Sequence, residues 1–258
     1  MRLPLLIMLM ASLPKSKAFN PPTILAVGNY LAQHEDTLTW TTKEDGFVRA
    51  ELPLSLLQPD AQIEHFNRSA PFARLRTNFW YPFANATLRR AQELNTPHTH
   101  RAHFASAIIN GGYSHDLFQE SPSDECPESE QYTKEKIDRH ELKVGSEGTV
   151  CLRKVRHDRV IPGDFVYYHT SAIHQLRASE PKALSLNAVA RPTEAQIDIY
   201  SRGSQEGEPE ADVALSQEQN RQVTRAAFRF FAQAQKHTRR EQQRSIIYGQ
   251  QYQTFCGR

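Results

Sequence analysis

The sequence predicts a mainly β protein, a single small barrel with a helix on either side of it along the chain. Three stretches favour this fold. Residues 98–109 are strand-like, and His98 and His100 stand two positions apart at their start. Residues 165–169 form a second strand-like run, which follows the turn signal Pro162-Gly163-Asp164 and leads to His174. Residues 183–189 are almost entirely apolar, as expected of a buried strand.

Length and composition set the class of protein. The chain has 258 residues, 39% of them hydrophobic, and a formal net charge of +2. These values are ordinary for a globular protein, and the near-neutral charge argues against a general nucleic-acid binder. We therefore expect no nucleic-acid partner, and no membrane partner, since no stretch after the N-terminus looks transmembrane. We divide the chain into an N-terminal extension (1–20), a barrel domain (21–200), and a linker with a basic C-terminal helix (201–258).

The N-terminus has more than one interpretation. Arg2, the apolar run 3–13 and Ser16-Lys17-Ala18 are typical of a short signal peptide. The run is too short to span a membrane as a helix. The alternatives are a start at Met10, which leaves an ordinary cytosolic N-terminus, and a buried N-terminal helix.

Three cysteines bear on the compartment. The chain has an odd number of cysteines, Cys126, Cys151 and Cys256, and their spacing is not that of a zinc site. We interpret them as free thiols or small buried residues, which favours a reducing compartment and a cytoplasmic location. The alternative is a secreted or periplasmic protein that uses the N-terminal signal.

The first elements come before the histidine pair. Pro21-Pro22-Thr23 marks the start of a helix that we expect to pack outside the barrel. Strands are predicted at 47–52, after the turn Asp45-Gly46, and at 72–80, where Phe72, Arg74 and Arg76 are expected to share a face. Residues 82–93 are predicted to form a loop with one helical turn.

After the histidine strand, Gly111-Gly112 predicts a turn into a returning strand at 113–119. The polar residues 121–136 are interpreted as a mobile insertion or lid. Residues 145–148 predict a turn, and residues 149–155 a strand.

The end of the chain has a different composition. Residues 201–212 are typical of a linker. Ser216 and Gln219 then stand at the cap and capping-box positions of a helix whose later part, 236–244, is strongly basic. The helix is expected either to dock on the barrel or to serve a homodimer.

Metal binding is the chemistry that the histidines favour. Side chains alternate along a strand, so His98, His100 and Phe104 share a face, and His174 is the best third ligand. Three neutral imidazoles suit Fe, Zn, Cu or Ni and leave coordination positions open. A histidine pair by itself is equally typical of surface residues or of hydrogen-bonded buried ones.

These residues resemble the two motifs of the cupin superfamily, over roughly residues 75–192. His98, His100 and Gly111 stand at matching places of the first motif, with Phe104 where a glutamate ligand would be. The second motif is represented by 169–174, with Ala178 at its asparagine position. A three-histidine set without carboxylate is similar to the thiol dioxygenase branch typified by cysteine dioxygenase. The resemblance implies a double-stranded β-helix barrel that binds Fe(II), dioxygen and a small thiol, with Zn, Ni or Cu as alternative metals.

A second segment supports that branch. Residues 179–186 resemble the segment that follows the third ligand in thiol dioxygenases. A Ser-x-His-x-Tyr triad of those enzymes corresponds here to Ser185, Asn187 and Val189, so two of its three members differ. Ala105 lies near the place of the cysteine that cross-links to the tyrosine in animal enzymes.

Other side chains are candidates for the reaction. The catalytic candidates are Tyr167 or Tyr168, whichever faces the metal, together with Ser185 and Asn187.

The substrate-binding candidates begin with three arginines that can pair with a carboxylate. An exposed basic strand face is the ordinary interpretation of Arg74 and Arg76, which share one strand. The full set is Arg49, Arg74, Arg76, Phe104 and His169. The favoured hypothesis is an iron dioxygenase. The alternatives are another metal-dependent cupin (oxygenase, isomerase or lyase) and a non-catalytic small-molecule binder.

Overall fold

The computed structural model describes residues 19–42, 47–57, 72–81, 96–121, 126–138, 143–178, 182–202 and 213–255. Four predictions lie wholly or mainly outside these ranges: the signal peptide, the turn at residues 45–46, the loop at residues 82–93, and the linker. The division of the chain into domains at residues 20 and 200 therefore stays a prediction.

The described residues form strands and helices that account for most of the predicted elements. The strands are β1 (Thr41–Thr42), β2 (Val48–Leu52), β3 (Phe72–Phe79), β4 (Phe104–Asn110), β5 (Tyr113–Ser121), β6 (Gln131–Asp138), β7 (Lys143–Val160), β8 (Phe165–Tyr168), β9 (Ile173–Ala178), β10 (Leu184–Ala190) and β11 (Gln196–Ser201). The helices are α1 (Pro21–Gln33) and α2 (Gln217–Phe255), and short 3₁₀ turns occur at Leu54–Leu56 and Glu128–Glu130.

Strand order defines the barrel. One sheet has the order β1-β2-β3-β10-β4-β8, and the other has the order β11-β6-β7-β5-β9, with every pair antiparallel. The pairing is nested along the chain: β3 pairs with β10, β4 with β8 and β5 with β7, while His98 bridges to His174 of β9. This nesting is the topology of a jelly roll, the barrel architecture of cupins. The predicted double-stranded β-helix is confirmed.

The segment around His98 lies between β9 and β11, the two edge strands of the second sheet. His98 bridges both His174 of β9 and Ile199 of β11. Thr99 donates its backbone N–H to the carbonyl of Asp198 at 2.9 Å. Residues 97–100 therefore lie between two strands and have backbone partners on both sides.

Two helices cover the outer face of the first sheet, as predicted. The side chain of Asn20 caps α1 by accepting from the backbone N–H of Thr23 at 2.9 Å. Ser216 and Gln219 form the predicted capping box of α2, with reciprocal hydrogen bonds of 3.3 and 2.9 Å. The helices and the sheet share one apolar core, whose helical members are Ile24, Val27, Leu31, Val223, Ala227 and Phe231.

Strand β10 separates that core from the barrel interior. Leu184, Leu186 and Ala188 face the helices, while Ser185 and Asn187 face the interior. All seven residues of β10 are buried. Burial on both faces explains why the sequence here is almost continuously apolar.

The structure corrects the prediction of one strand through residues 98–109. The chain bends at Arg101 and Ala102, and β4 begins only at Phe104. His98 pairs with the second sheet, whereas β4 belongs to the first sheet. The bend carries the chain from one sheet to the other, which a strand signal in the sequence does not show.

Two further predictions are wrong for the residues that the structure describes: the mobile insertion at residues 121–136 and the turn at residues 145–148. Residues 131–138 form β6, which pairs with β7 through most of its length. The expected turn at residues 145–148 lies inside β7, where the register shifts twice and Gly148 has a φ of 79°. Local irregularities of a long strand thus resemble a turn in sequence.

Strand β3 forms as predicted, but its faces are mixed. Leu75 and Phe72 both face the helix core, because the register between β3 and β10 shifts next to Ala190. The bulge turns Phe72 away from the face of Arg76.

The cysteines are not all free thiols. Cys126 and Cys151 form a disulfide with a Cα–Cα distance of 5.5 Å, which lies in the usual range. Cys126 precedes β6, and Cys151 lies on β7 opposite Gln131, so strand pairing brings them together. The interpretation of the cysteines as free thiols is therefore wrong for Cys126 and Cys151, and the cellular location stays a prediction.

None of the described helices is long and apolar enough to cross a membrane.

Candidate metal centre

Three imidazoles meet at one end of the barrel interior. The ligating nitrogens of His98, His100 and His174 all lie within 4.8 Å of one another. The Nε2 atoms of His100 and His174 are 2.7 Å apart. Two ligands about 2.1 Å from one ion and at right angles to each other lie about 3.0 Å apart, so this spacing is close to that of a shared metal. The structure thus brings together the three predicted ligands.

Backbone pairing holds the ligands in place. His98 and His174 each donate their backbone N–H to the carbonyl of the other, at 2.9 and 3.0 Å. His100 donates its N–H to the carbonyl of Thr170 at 3.2 Å. The ligands are therefore fixed from both flanks, although His98 and His100 do not lie on a long strand.

A hydrogen bond sets the tautomer of His98. Its Nδ1 lies 2.9 Å from the carbonyl oxygen of Thr96. A carbonyl can only accept, so Nδ1 carries the proton and Nε2 is left with its lone pair. This is the arrangement that orients a histidine ligand toward a metal.

Electrostatics keep two of the ligands neutral. Burial, followed by the nearby His98 and the Arg76 guanidinium, holds the pKa of His100 well below its ordinary value. Burial, followed by His100 and His98, lowers the pKa of His174 in the same way. The neutral imidazole is the form that binds metal, so the site resists protonation at neutral pH.

The donors open onto a cavity of about 40 Å³. One water needs roughly 10–15 Å³ by this measure, so the cavity has room for about three water-sized groups. Among the described residues, none that lines it is an aspartate or a glutamate. Three neutral nitrogen donors beside open space fit a first-row transition metal with free coordination positions.

Two guanidinium groups reach the same cavity. Arg49 donates from Nε to Oδ1 of Asn78 at 3.0 Å. The guanidinium carbon of Arg76 lies 6.0 Å from the centre of the Phe104 ring. Both arginines contribute to the lowered pKa of His100, which places their charges near the metal ligands.

Only one of the two candidate tyrosines faces this cavity. Tyr168 lines it and stacks on Phe104 with ring centres 4.3 Å apart. Burial raises the pKa of Tyr168 well above its ordinary value, so its hydroxyl stays protonated. Tyr167 points the other way, toward the core beneath the helices.

Ser185 and Asn187 both line the cavity, as predicted. They are 1% and 2% exposed, and the side-chain amide of Asn187 donates to the hydroxyl of Ser185 at 3.1 Å. Strand β10 therefore presents a polar, neutral pair to the cavity.

Two of the predicted substrate contacts lie elsewhere. Arg74 is exposed and is not among the lining residues, although it shares β3 with Arg76. His169 is exposed, packs on His103 with ring centres 4.4 Å apart, and contacts the hydroxyl of Ser171 at 2.8 Å. It lies in the turn after β8, outside the cavity lining.

Several functional side chains were not predicted from the sequence. His115 is a buried fourth histidine, and burial lowers its pKa to about 4. Tyr113 lines the cavity beside Ser106, with their hydroxyls 3.2 Å apart, and burial raises the pKa of Tyr113 to about 12. Alternation along the returning strand would have placed Tyr113 and His115 on one face. The same rule applied to β3 would have placed Asn78 with Arg76.

Comparisons with known proteins extend this description. No protein-family model and no curated protein sequence matches the chain. Among solved structures, Escherichia coli ycfD is similar over 80% of this chain and 62% of its own, with 11% identity and a TM-score of 0.35. A point mutant of Bacillus subtilis oxalate decarboxylase OxdC is similar over 60% of this chain and 27% of its own, with 16% identity and a TM-score of 0.30.

A third structure, described as DMSP lyases RdDddP and RnDddQII, is similar over 64% of this chain and 51% of its own, with 12% identity and a TM-score of 0.26. The chain spans less than two thirds of each of these structures. The assignment of a jelly-roll barrel rests on the strand order of the chain itself.

Proposed function

We propose that this protein is a metal-dependent cupin dioxygenase that binds Fe(II) through His98, His100 and His174. The observation that carries the proposal is the convergence of three imidazoles on a small cavity that also receives two guanidinium groups. When bound there, iron would bring substrate and dioxygen into one coordination sphere and activate the oxygen. Zn, Ni and Cu suit the same donors and are the alternative metals.

The substrate would be a small molecule that bears a carboxylate. We favour a thiol as its reacting group. Arg49 and Arg76 lie beside the metal ligands, and a guanidinium pairs with a carboxylate through two parallel hydrogen bonds. A cavity of about 40 Å³ favours a substrate of few atoms. Arg74 and His169 lie outside the cavity lining and are left out of the proposed substrate contacts.

Uncharged side chains of the cavity wall, Tyr168 and the pair Asn187 and Ser185, would assist the reaction. The Tyr168 hydroxyl is protonated and buried in the cavity wall, so it can donate a hydrogen bond to a reacting oxygen. Asn187 and Ser185 can orient substrate or water, but an amide does not transfer a proton at neutral pH.

One observation favours a second candidate, another metal-dependent cupin oxygenase, isomerase or lyase. In the resemblance to thiol dioxygenases, Asn187 and Val189 replace the histidine and tyrosine of the triad. Neither replacement can relay a proton, so chemistry that needs only the metal as Lewis acid suits β10 better.

The test combines metal analysis with oxygen uptake. The protein would be reconstituted anaerobically with Fe(II) and supplied with small thiols bearing a carboxylate, alongside hydroxy acids of equal size. About one iron per chain with thiol-dependent oxygen uptake supports the dioxygenase. Bound metal without thiol-dependent oxygen uptake would favour the second candidate, and a metal-free protein after reconstitution would leave a non-catalytic binding module.

A further inference from the structure

A fourth imidazole lies against the metal ligands without lining the cavity. His115 of β5 is 2% exposed and stands opposite Leu176 of β9 in the strand register. Its Nε2 lies 3.3 Å from Nδ1 of His174, and the two rings meet edge to face at 89° with centres 5.4 Å apart. His174 is itself completely buried. Water therefore does not compete for this hydrogen bond.

The contact has two proton arrangements with opposite consequences. If Nε2 of His115 donates, Nδ1 of His174 is the acceptor, and the proton of a neutral His174 sits on Nε2. That nitrogen faces Nε2 of His100 at 2.7 Å, and a protonated nitrogen cannot bind a metal. If instead Nδ1 of His174 donates, its Nε2 is left with a lone pair directed at the metal position.

We propose that His115 is a positioning residue for the metal: its Nε2 accepts a hydrogen bond from Nδ1–H of His174 and thereby fixes the ligating tautomer and ring orientation of His174. The inference rests on the proposed metal site and adds a residue to it. His98 is oriented in the same way by the carbonyl of Thr96, so two of the three ligands have an acceptor behind them.

The register of the strands supports this role. β5 pairs with β9 on one side and with β7 on the other, so both neighbours fix the position of His115. The cross-strand partner of His115 on β7 is Asp158. Neighbouring strands on both sides thus hold His115 against the ligand His174.

The experiment compares two substitutions of His115. His115→Phe keeps an aromatic ring but removes the acceptor, while His115→Gln places an amide oxygen near the position of Nε2. His34→Phe is the matched control, since His34 follows α1 and is not a cavity residue. Zn(II) affinity would be measured by competition with a chromogenic chelator, and Co(II) binding by its visible spectrum. The tautomer of His174 in the Zn(II)-loaded protein would be read from ¹⁵N chemical shifts.

The expected result is a loss of Zn(II) affinity of about 10- to 100-fold in His115→Phe, with a changed Co(II) spectrum. His115→Gln should stay within a few-fold of the parent protein, and His34→Phe should not change affinity. The parent should show His174 protonated at Nδ1.

Other outcomes overturn the inference in different ways. Unchanged affinity and spectrum in His115→Phe would overturn it while leaving the metal site intact. Equal losses in His115→Phe and His115→Gln would assign His115 to packing. A parent protein that binds neither Zn(II) nor Co(II) would overturn the proposed metal function and the inference together. Thermal unfolding of each metal-free variant separates misfolding from loss of binding.

Discussion

His98 and His174 exchange two backbone hydrogen bonds, of 2.9 and 3.0 Å, and so form a directly opposed antiparallel pair. Side chains of such a pair point to the same face of the sheet. The distance of 4.9 Å between their ring centres is therefore set by the strand pairing, with no need for a metal. The centre is preorganised, which reduces the entropic cost of binding an ion.

Removal of one ligand should empty this centre without unfolding the barrel. We expect His100→Ala to lower metal content from about one ion per chain to well below one, because only two imidazoles remain. The barrel should stay folded, because the backbone hydrogen bonds are unchanged. Elemental analysis after reconstitution measures the metal content. His34→Ala, which changes a histidine away from the cavity, should keep full metal content. Equal metal in the two variants would contradict the three-histidine site.

Arg76 and Arg74 provide a matched pair on one strand. Arg76 lines the cavity, whereas Arg74 is exposed. Loss of a charged hydrogen-bond donor costs about 1.5–3 kcal/mol, so Arg76→Gln should raise KM for a carboxylate substrate at least tenfold. Arg74→Gln should leave KM within about twofold. Steady-state oxygen uptake with the best substrate measures both, and a similar KM in the two variants would remove Arg76 from substrate binding.

Tyr168 and Tyr167 form a second pair, adjacent in sequence and opposite in direction. Tyr168→Phe should lower kcat by about 100-fold at unchanged iron content, because it removes a buried donor near the metal while keeping the ring on Phe104. Tyr167→Phe should change kcat little, since that ring faces the helices. A full kcat in Tyr168→Phe would exclude it as a proton or hydrogen-bond donor in the reaction.

Much of the centre could be predicted from residue spacing. The three ligand histidines follow from a His-x-His pair and a third histidine after a turn and a strand. Ser185 and Asn187 follow from the resemblance to thiol dioxygenases, and the capping box of α2 follows from Ser216 and Gln219. The histidine pair and the capping box are local patterns, within a few residues along the chain, whereas His174 lies 74 residues beyond His100.

The parts that sequence could not supply depend on which strand lies beside which. His98 and His174 lie side by side because distant segments pair, and the bend at residues 101–102 exists because the chain changes sheets. The direction of Phe72 depends on a bulge. The disulfide between Cys126 and Cys151 depends on β6 pairing with β7, where sequence suggested a mobile insertion.

The helices should contribute strongly to stability through Phe231. This side chain is 0% exposed in the core between α2 and the first sheet, and a Cβ placed on Gly28 of α1 would lie 3.5 Å from its Cβ. Phe231→Ala should lower the free energy of unfolding by about 3–5 kcal/mol. Phe228→Ala, one turn earlier and 37% exposed, should cost less than about 1 kcal/mol. Urea titration measures both, and equal costs would mean that α2 does not pack as described.

A count of reactive thiols tests whether Cys126 and Cys151 form the disulfide or remain the free thiols that the sequence suggested. Of the three cysteines in the sequence, Cys126 and Cys151 are joined, and Cys256 lies outside the described residues. Protein purified without reductant and then denatured should react with about one equivalent of Ellman's reagent, and with about three after reduction.

The bond closes a loop with a sequence separation of 25 residues. Its loss should therefore lower the free energy of unfolding by about 3 kcal/mol in the double variant Cys126→Ser, Cys151→Ser. Cys256→Ser is the matched control and should leave stability unchanged while abolishing the single thiol. Three reactive thiols in the unreduced parent would show that the strands β6 and β7 hold the two cysteines without joining them.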